Sequence, residues 1–250
     1  MRGFMPPRLR RTATGARLLN WPAMAYWVAR IWRQPSAVLL AVQLLGVLLY
    51  PFMDDSVVGR AALSVFGLVV LFLAVRTVQA TPALTWISVL LGVPIVVLTI
   101  LEVTDPLNTQ WVLWLSVLLA VFYFYTSYAL VRYMFHDTIV TRDELWAIGA
   151  TFTVVAWAFA NTFMAVQIIW PGSFTAGGAS DAPQTWFAML FLSFTNLTSV
   201  GLSDILPVLP QARSWIMIEQ VAGLLYIAIV VSRVVGLTIT RSRDLPTRTE

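Results

Sequence analysis

The chain has 250 residues, 59% hydrophobic and 11% charged, with a mean hydropathy of +0.79. That charged fraction is about half that of an ordinary soluble domain, which excludes a soluble enzyme, a disordered regulator and a compact secreted domain. The net charge of +4 rests on 16 basic residues, all arginine, and the lack of cysteine excludes a disulfide framework, a thiolate metal site and a cysteine nucleophile.

Residues 1–35 come first and are basic, with Arg2, Arg8, Arg10, Arg11, Arg17, Arg30 and Arg33. Within them, residues 17–35 mix Trp21, Tyr26, Trp27, Ile31 and Trp32 with arginines, which suits a helix lying in the cytoplasmic headgroup region. Asn20, Pro22 and Arg30 interrupt any apolar core, which argues against a secretory signal. The arginines of residues 2–17 can also touch anionic lipid, although setting topology is their simpler role. Basicity of this kind needs no nucleic-acid partner.

A bilayer core takes about 20 apolar residues per helix. Six runs meet this between polar breaks: 37–53, 57–79, 83–103, 109–131, 145–170 and 214–239. Asp54-Asp55, Thr81-Pro82 and Thr104-Asp105-Pro106 separate the first four. Residues 136–144 form a cytoplasmic linker with the single His136, and Thr141 and Glu144 resemble a capping box for the fifth run. Under the positive-inside rule the N-terminus is cytoplasmic, and six crossings return residues 241–250 to the same side as a short tail. The connections this topology places outside hold Asp54, Asp55, Glu102, Asp105, Asp181 and Asp204; those placed inside hold Arg76, Arg132 and Arg142.

Between the fifth and sixth runs lies a stretch too long for a turn and too apolar for a solvated loop. Residues 171–184 carry Pro171, Gly172, Gly177, Gly178 and Pro183. TWFAMLFLSFTNLT, residues 185–198, follows as a helix too short to cross. Turn formers follow it from Ser199 to Pro207. A half-helix that enters a membrane and returns as extended chain needs protein or water to cover its backbone.

The sequence FTNLTSVGLSDILP resembles the potassium-channel pore signature T-T-V-G-Y-G-D. With QARSWIMIEQVAGLLYIAIVVSRVVGL it is similar to a bacterial ion-channel family built from a pore helix, a filter and an inner helix, over about residues 145–240. The resemblance implies a homotetramer whose filter carbonyls replace the hydration shell of a permeant ion, K+ first and Na+ second. Ser199, Val200, Gly201, Leu202 and Ser203 would form that filter. Asp204 would lie at the outer mouth, where four copies concentrate cations. Trp186, Phe187, Phe191, Phe194 and Asn196 would support it from the pore helix. Leu202 replaces the usual tyrosine and Ser203 the second glycine. A left-handed Ser203 would cost about 1–2 kcal/mol, weakening selectivity for potassium over sodium.

In the last run, Glu219 is a carboxylate in apolar surroundings, expected to hydrogen-bond behind the filter with Asn196 or Thr195. Gly223 lies 20 residues after Ser203, where the resemblance implies a hinge; close helix packing explains it equally well. Arg233 would repel cations if it lay on the pore axis, so pairing or snorkelling is expected of it. The fourth run carries only Arg132 near its inner end, so residues 36–135 have a voltage-sensor-like layout without gating charges.

These readings make the chain an all-α membrane protein with six transmembrane helices, and a re-entrant pore helix and filter loop between the fifth and sixth. It is expected to be a cation channel of a bacterial inner membrane, with no catalytic residues, no cofactor and no metal beyond the permeant ion. Two rivals are a non-conducting scaffold or sensor with a decayed filter, and a secondary transporter coupled through Glu219. A transporter would be expected to show paired broken helices in two halves, and only one re-entrant segment is visible.

Overall fold

A computed structural model of the chain describes residues 34–53, 57–78, 82–105, 108–135, 142–177 and 182–243. The N-terminal arginines, nearly all of the interfacial segment 17–35, His136 and Thr141 lie outside the described residues. The fold is nearly all helical. In chain order, the helices are α1 (Pro35–Met53), α2 (Val57–Val78), α3 (Pro82–Thr104), α4 (Thr109–Met134) and α5 (Arg142–Ile169). A short strand β1 (Phe174–Ala176), helix α6 (Trp186–Leu197), strand β2 (Ile205–Pro207) and helix α7 (Pro210–Arg243) complete it.

Among the described residues, four helices are long and apolar enough to cross a membrane: α1, α4, α5 from Asp143, and α7 as far as Gly236. Long helices suit such a setting because each satisfies its own backbone groups without water. In α2 and α3 the apolar stretches are shorter, Val65–Arg76 and Val89–Thr104. The expected runs and the observed helices differ by a few residues at their ends. Helix α5 begins at Arg142, inside the expected linker, and α7 runs on to Arg243, into the expected tail.

Helix α5 is the centre of the packing. Ala147, Ala150, Val154, Ala156, Ala158, Ala160 and Phe163 are all completely buried. The five alanines among them let neighbouring helices approach closely. On α4, Tyr123 meets Trp157 edge-on at 5.8 Å and Phe124 meets Phe159 edge-on at 5.0 Å. Helix α1 lies so near α5 that a Cβ on Gly149 would fall 2.7 Å from Leu40 Cδ2. At the start of α5, Asp143 ties three helices together: it accepts from Ser36 Oγ at 2.9 Å, from Ser36 N at 3.3 Å and from Tyr133 Oη at 3.4 Å. Helices α1 and α4 therefore pack directly on the helix that precedes the short α6.

The loop stretches around α6, expected as irregular chain, contain strand pairing. β1 and β2 are antiparallel, with Phe174 opposite Pro207, Thr175 opposite Leu206 and Ala176 opposite Ile205. Gly177 N donates to Asp204 O at 2.9 Å and Val208 N to Ser173 O at 2.8 Å, extending the ladder at both ends. This pair joins the chain entering α6 to the chain leaving it.

Candidate functional site

Helix α6 has 12 residues, about 18 Å of rise, and is held at both ends. Thr185 caps its start, its hydroxyl accepting from Ala188 N at 3.2 Å. That bond satisfies one of the free N–H groups of a first turn. Trp186 then packs edge-on against Trp157 at 5.3 Å, and Phe187 stacks on Tyr50 at 4.7 Å. Both aromatics fasten the start of α6 to α5 and α1, at the far end of the helix from Ser199. Phe191 is exposed, and Phe194 lies against Phe152.

Past Leu197 the chain reverses. Thr198 N donates to Phe194 O at 3.1 Å and Ser199 N to Asn196 O at 2.9 Å. Val200 N and Gly201 N both donate to Thr195 O at 3.0 Å. Consecutive N–H groups are thus spent on the last turn of α6, while the carbonyls go unused. Among the described residues, no carbonyl oxygen from Ser199 to Ser203 accepts a hydrogen bond. Val200 and Leu202 are 60% and 73% exposed. An open recess of about 330 Å³ lies between this turn and α7, its walls including Thr195, Ser199, Gly201, Gln220 and Leu224.

The backbone here corrects one expectation. Positive φ occurs at Ser199 (59°) and Gly201 (69°), and Ser203 is not left-handed. Ser203 instead turns its Oγ to accept from Ile205 N at 3.1 Å, which starts β2. The conformational cost expected at Ser203 therefore falls on Ser199. Asp204 is exposed beside Ser203, its carbonyl engaged by Gly177.

Behind the turn, Glu219 of α7 is fully buried. Its hydrogen-bond partner is Ser193, whose Oγ donates to Glu219 Oε1 and also lies 2.9 Å from Ala156 O. One hydroxyl proton serves these two acceptors, so α5, α6 and α7 meet at a single side chain. Of the two residues expected at Glu219, Asn196 lies close enough for its side chain to act on the carboxyl, although its Nδ2 makes no hydrogen bond of ordinary geometry, whereas Thr195 Oγ1 donates to Leu192 O at 2.8 Å. Ser193 went unnoticed, although it lies one turn before Asn196 on the same face of α6.

Gly223 touches backbone. A Cβ there would stand 2.1 Å from Leu197 O and 2.9 Å from Leu197 C. The glycine thus lets α7 cross the carbonyl end of α6 at closer range than any side chain permits. Lower on α7, Arg233 lies 3.6 Å from Glu144 of α5, an ion pair too long for a hydrogen bond, with its guanidinium 4.8 Å from the centre of the Phe135 ring. Glu144 thus contacts the last helix; the capping box expected of it involves Thr141, outside the described residues. Tyr226 Oη adds a further tie by donating to Ile148 O at 2.6 Å.

No group of three or more His, Cys, Asp or Glu side chains is placed to hold a metal ion among the described residues. No protein-family model, curated protein or solved structure matches the chain.

Proposed function

We propose that the chain is one subunit of a tetrameric cation channel whose filter is Ser199–Ser203, with potassium as its main permeant ion. All six long helices would cross the membrane, with α6 re-entrant and both chain ends cytoplasmic. The observation that carries this reading is the run of unpartnered carbonyl oxygens on an exposed turn after a short, capped helix. Carbonyl dipoles at close quarters replace the water around a cation. One chain offers a single strip of them, so a ring needs several copies about an axis, and exposed Val200 and Leu202 would be covered by neighbouring copies. The carbonyl end of α6 adds the negative end of its dipole on the same side.

Two further contacts support the reading. The Arg233–Glu144 pair keeps that cation engaged with α5, which removes the objection that a ring of arginines would repel permeant ions. Gly223 and Glu219 brace the end of α6, which fixes the turn that follows it. The test is flux into liposomes carrying the purified protein, under potassium and then sodium gradients. Uncoupled flux, faster for potassium, is expected. Flux that requires a proton gradient, or none at all, would overturn the proposal in favour of a transporter or a scaffold.

A further inference from the structure

A second feature lies away from the filter. A cavity of about 270 Å³ opens among α1, α2, α3, α4 and α5, with Trp186 of α6 also on its wall. That volume sits at the small end of ligand pockets, so a fragment-sized molecule fits. The lining is chiefly apolar and includes the rings of Phe66, Tyr123 and Trp157. Among the described residues, one carboxylate, the half-buried Glu102, lines it, and no arginine does. Trp157 is 4% exposed and its indole N–H has no acceptor, which leaves a buried donor beside the cavity.

We propose that this cavity binds a small hydrophobic amine in its protonated form. The ammonium pairs with Glu102, and the apolar body fills the space between the rings. A carboxylate in a ring-lined pocket selects a cation over an anion or a neutral molecule, because aromatic faces also attract positive charge. Through Trp186 such a ligand touches the start of α6.

The experiment uses the full chain in detergent micelles at neutral pH, titrated with 2-phenylethylamine and, separately, with the uncharged 2-phenylethanol. The readout is the thermal midpoint as a function of ligand concentration. A saturable rise is expected with the amine, at an apparent affinity about tenfold or more above that of the alcohol. Glu102→Gln should weaken the amine on the order of tenfold or more by removing its charge partner. Gly67→Leu should abolish the response: Gly67 lines the cavity, and a Cβ there meets nothing within 4 Å, so the larger side chain enters open space. Equal stabilisation by amine and alcohol, the lack of a saturable shift, or an undiminished response in Glu102→Gln would overturn the proposal. Should a variant fail to fold, the amine and alcohol comparison on the unaltered protein decides. Ion flux plays no part in this test, so the site stands or falls separately from the pore.

Discussion

Replacing Gly223 by alanine separates two roles for this glycine by the sign of a stability change. Alanine is a better helix former than glycine by about 1 kcal/mol, so a glycine kept only for bending should yield a more stable protein when replaced. The structure predicts the reverse. The new methyl carbon would stand 2.1 Å from Leu197 O, whereas ordinary contact begins at 3.4 Å. Along that line α7 and the end of α6 must separate by about 1.3 Å. The obstacle is backbone at the end of a capped helix, with no flexible side chain to swing aside. Overpacking of this kind costs about 1–3 kcal/mol, which exceeds the propensity gain at all but its lower limit. A shift of that size at Leu197 would also carry Ser199–Ser203 with it, so flux should fall along with stability. Thermal unfolding of the purified protein in one detergent is the assay. Gly236 in the same helix is the control, since a Cβ there meets nothing within 4 Å, and Gly236→Ala should be neutral or stabilising by up to about 1 kcal/mol. A Gly223→Ala protein as stable as the parent, or more so, would refute the packing argument.

Further substitutions test neighbouring contacts. Arg233→Gln and Glu144→Gln should each destabilise by about 1–3 kcal/mol, since each removes a charge partner across α5 and α7 in a largely buried place; the double variant, measured by thermal unfolding, should lose clearly less than the two losses added together. Ser193→Ala should cost about 1–3 kcal/mol by leaving the buried Glu219 carboxyl without its hydroxyl, while adding Glu219→Gln to Ser193→Ala should recover part of that loss, read as the denaturation midpoint. Ser199→Gly should be neutral or stabilising by up to about 1 kcal/mol, because a side chain at φ 59° is strained and glycine is not; a clear loss of stability would show that the Ser199 side chain matters more than its backbone.

The parts of the fold governed by local composition were readable in advance. The six apolar runs became helices α1 to α5 and α7, and the stretch 185–198 became α6 with Thr185 as its cap. Long apolar runs specify helices almost unaided once polar breaks mark their ends. What escaped the reading depends on contacts across large sequence separations. Nothing near Glu144 announces a partner at Arg233, and nothing near Glu219 announces Ser193, because helix packing sets both. The strands β1 and β2 hold three residues each and lie among turn formers, so neither has enough alternation to signal itself. Left-handed backbone was expected at Ser203 on the strength of a resemblance. The observed turn satisfies the end of α6 first, through Thr195 O, and that requirement moves the strain to Ser199. Gly223 was legible as a special position, whereas the choice between bending and close approach needed the position of Leu197.

The central claim is that the Ser199–Ser203 carbonyls pass cations, and a planar-bilayer recording under a potassium chloride gradient tests it most directly. The account predicts a current that reverses near the potassium equilibrium potential, with the reversal potential moving further from zero as sodium replaces potassium on the dilute side. Reversal near the chloride potential, or no current from protein shown to be a tetramer, would contradict it.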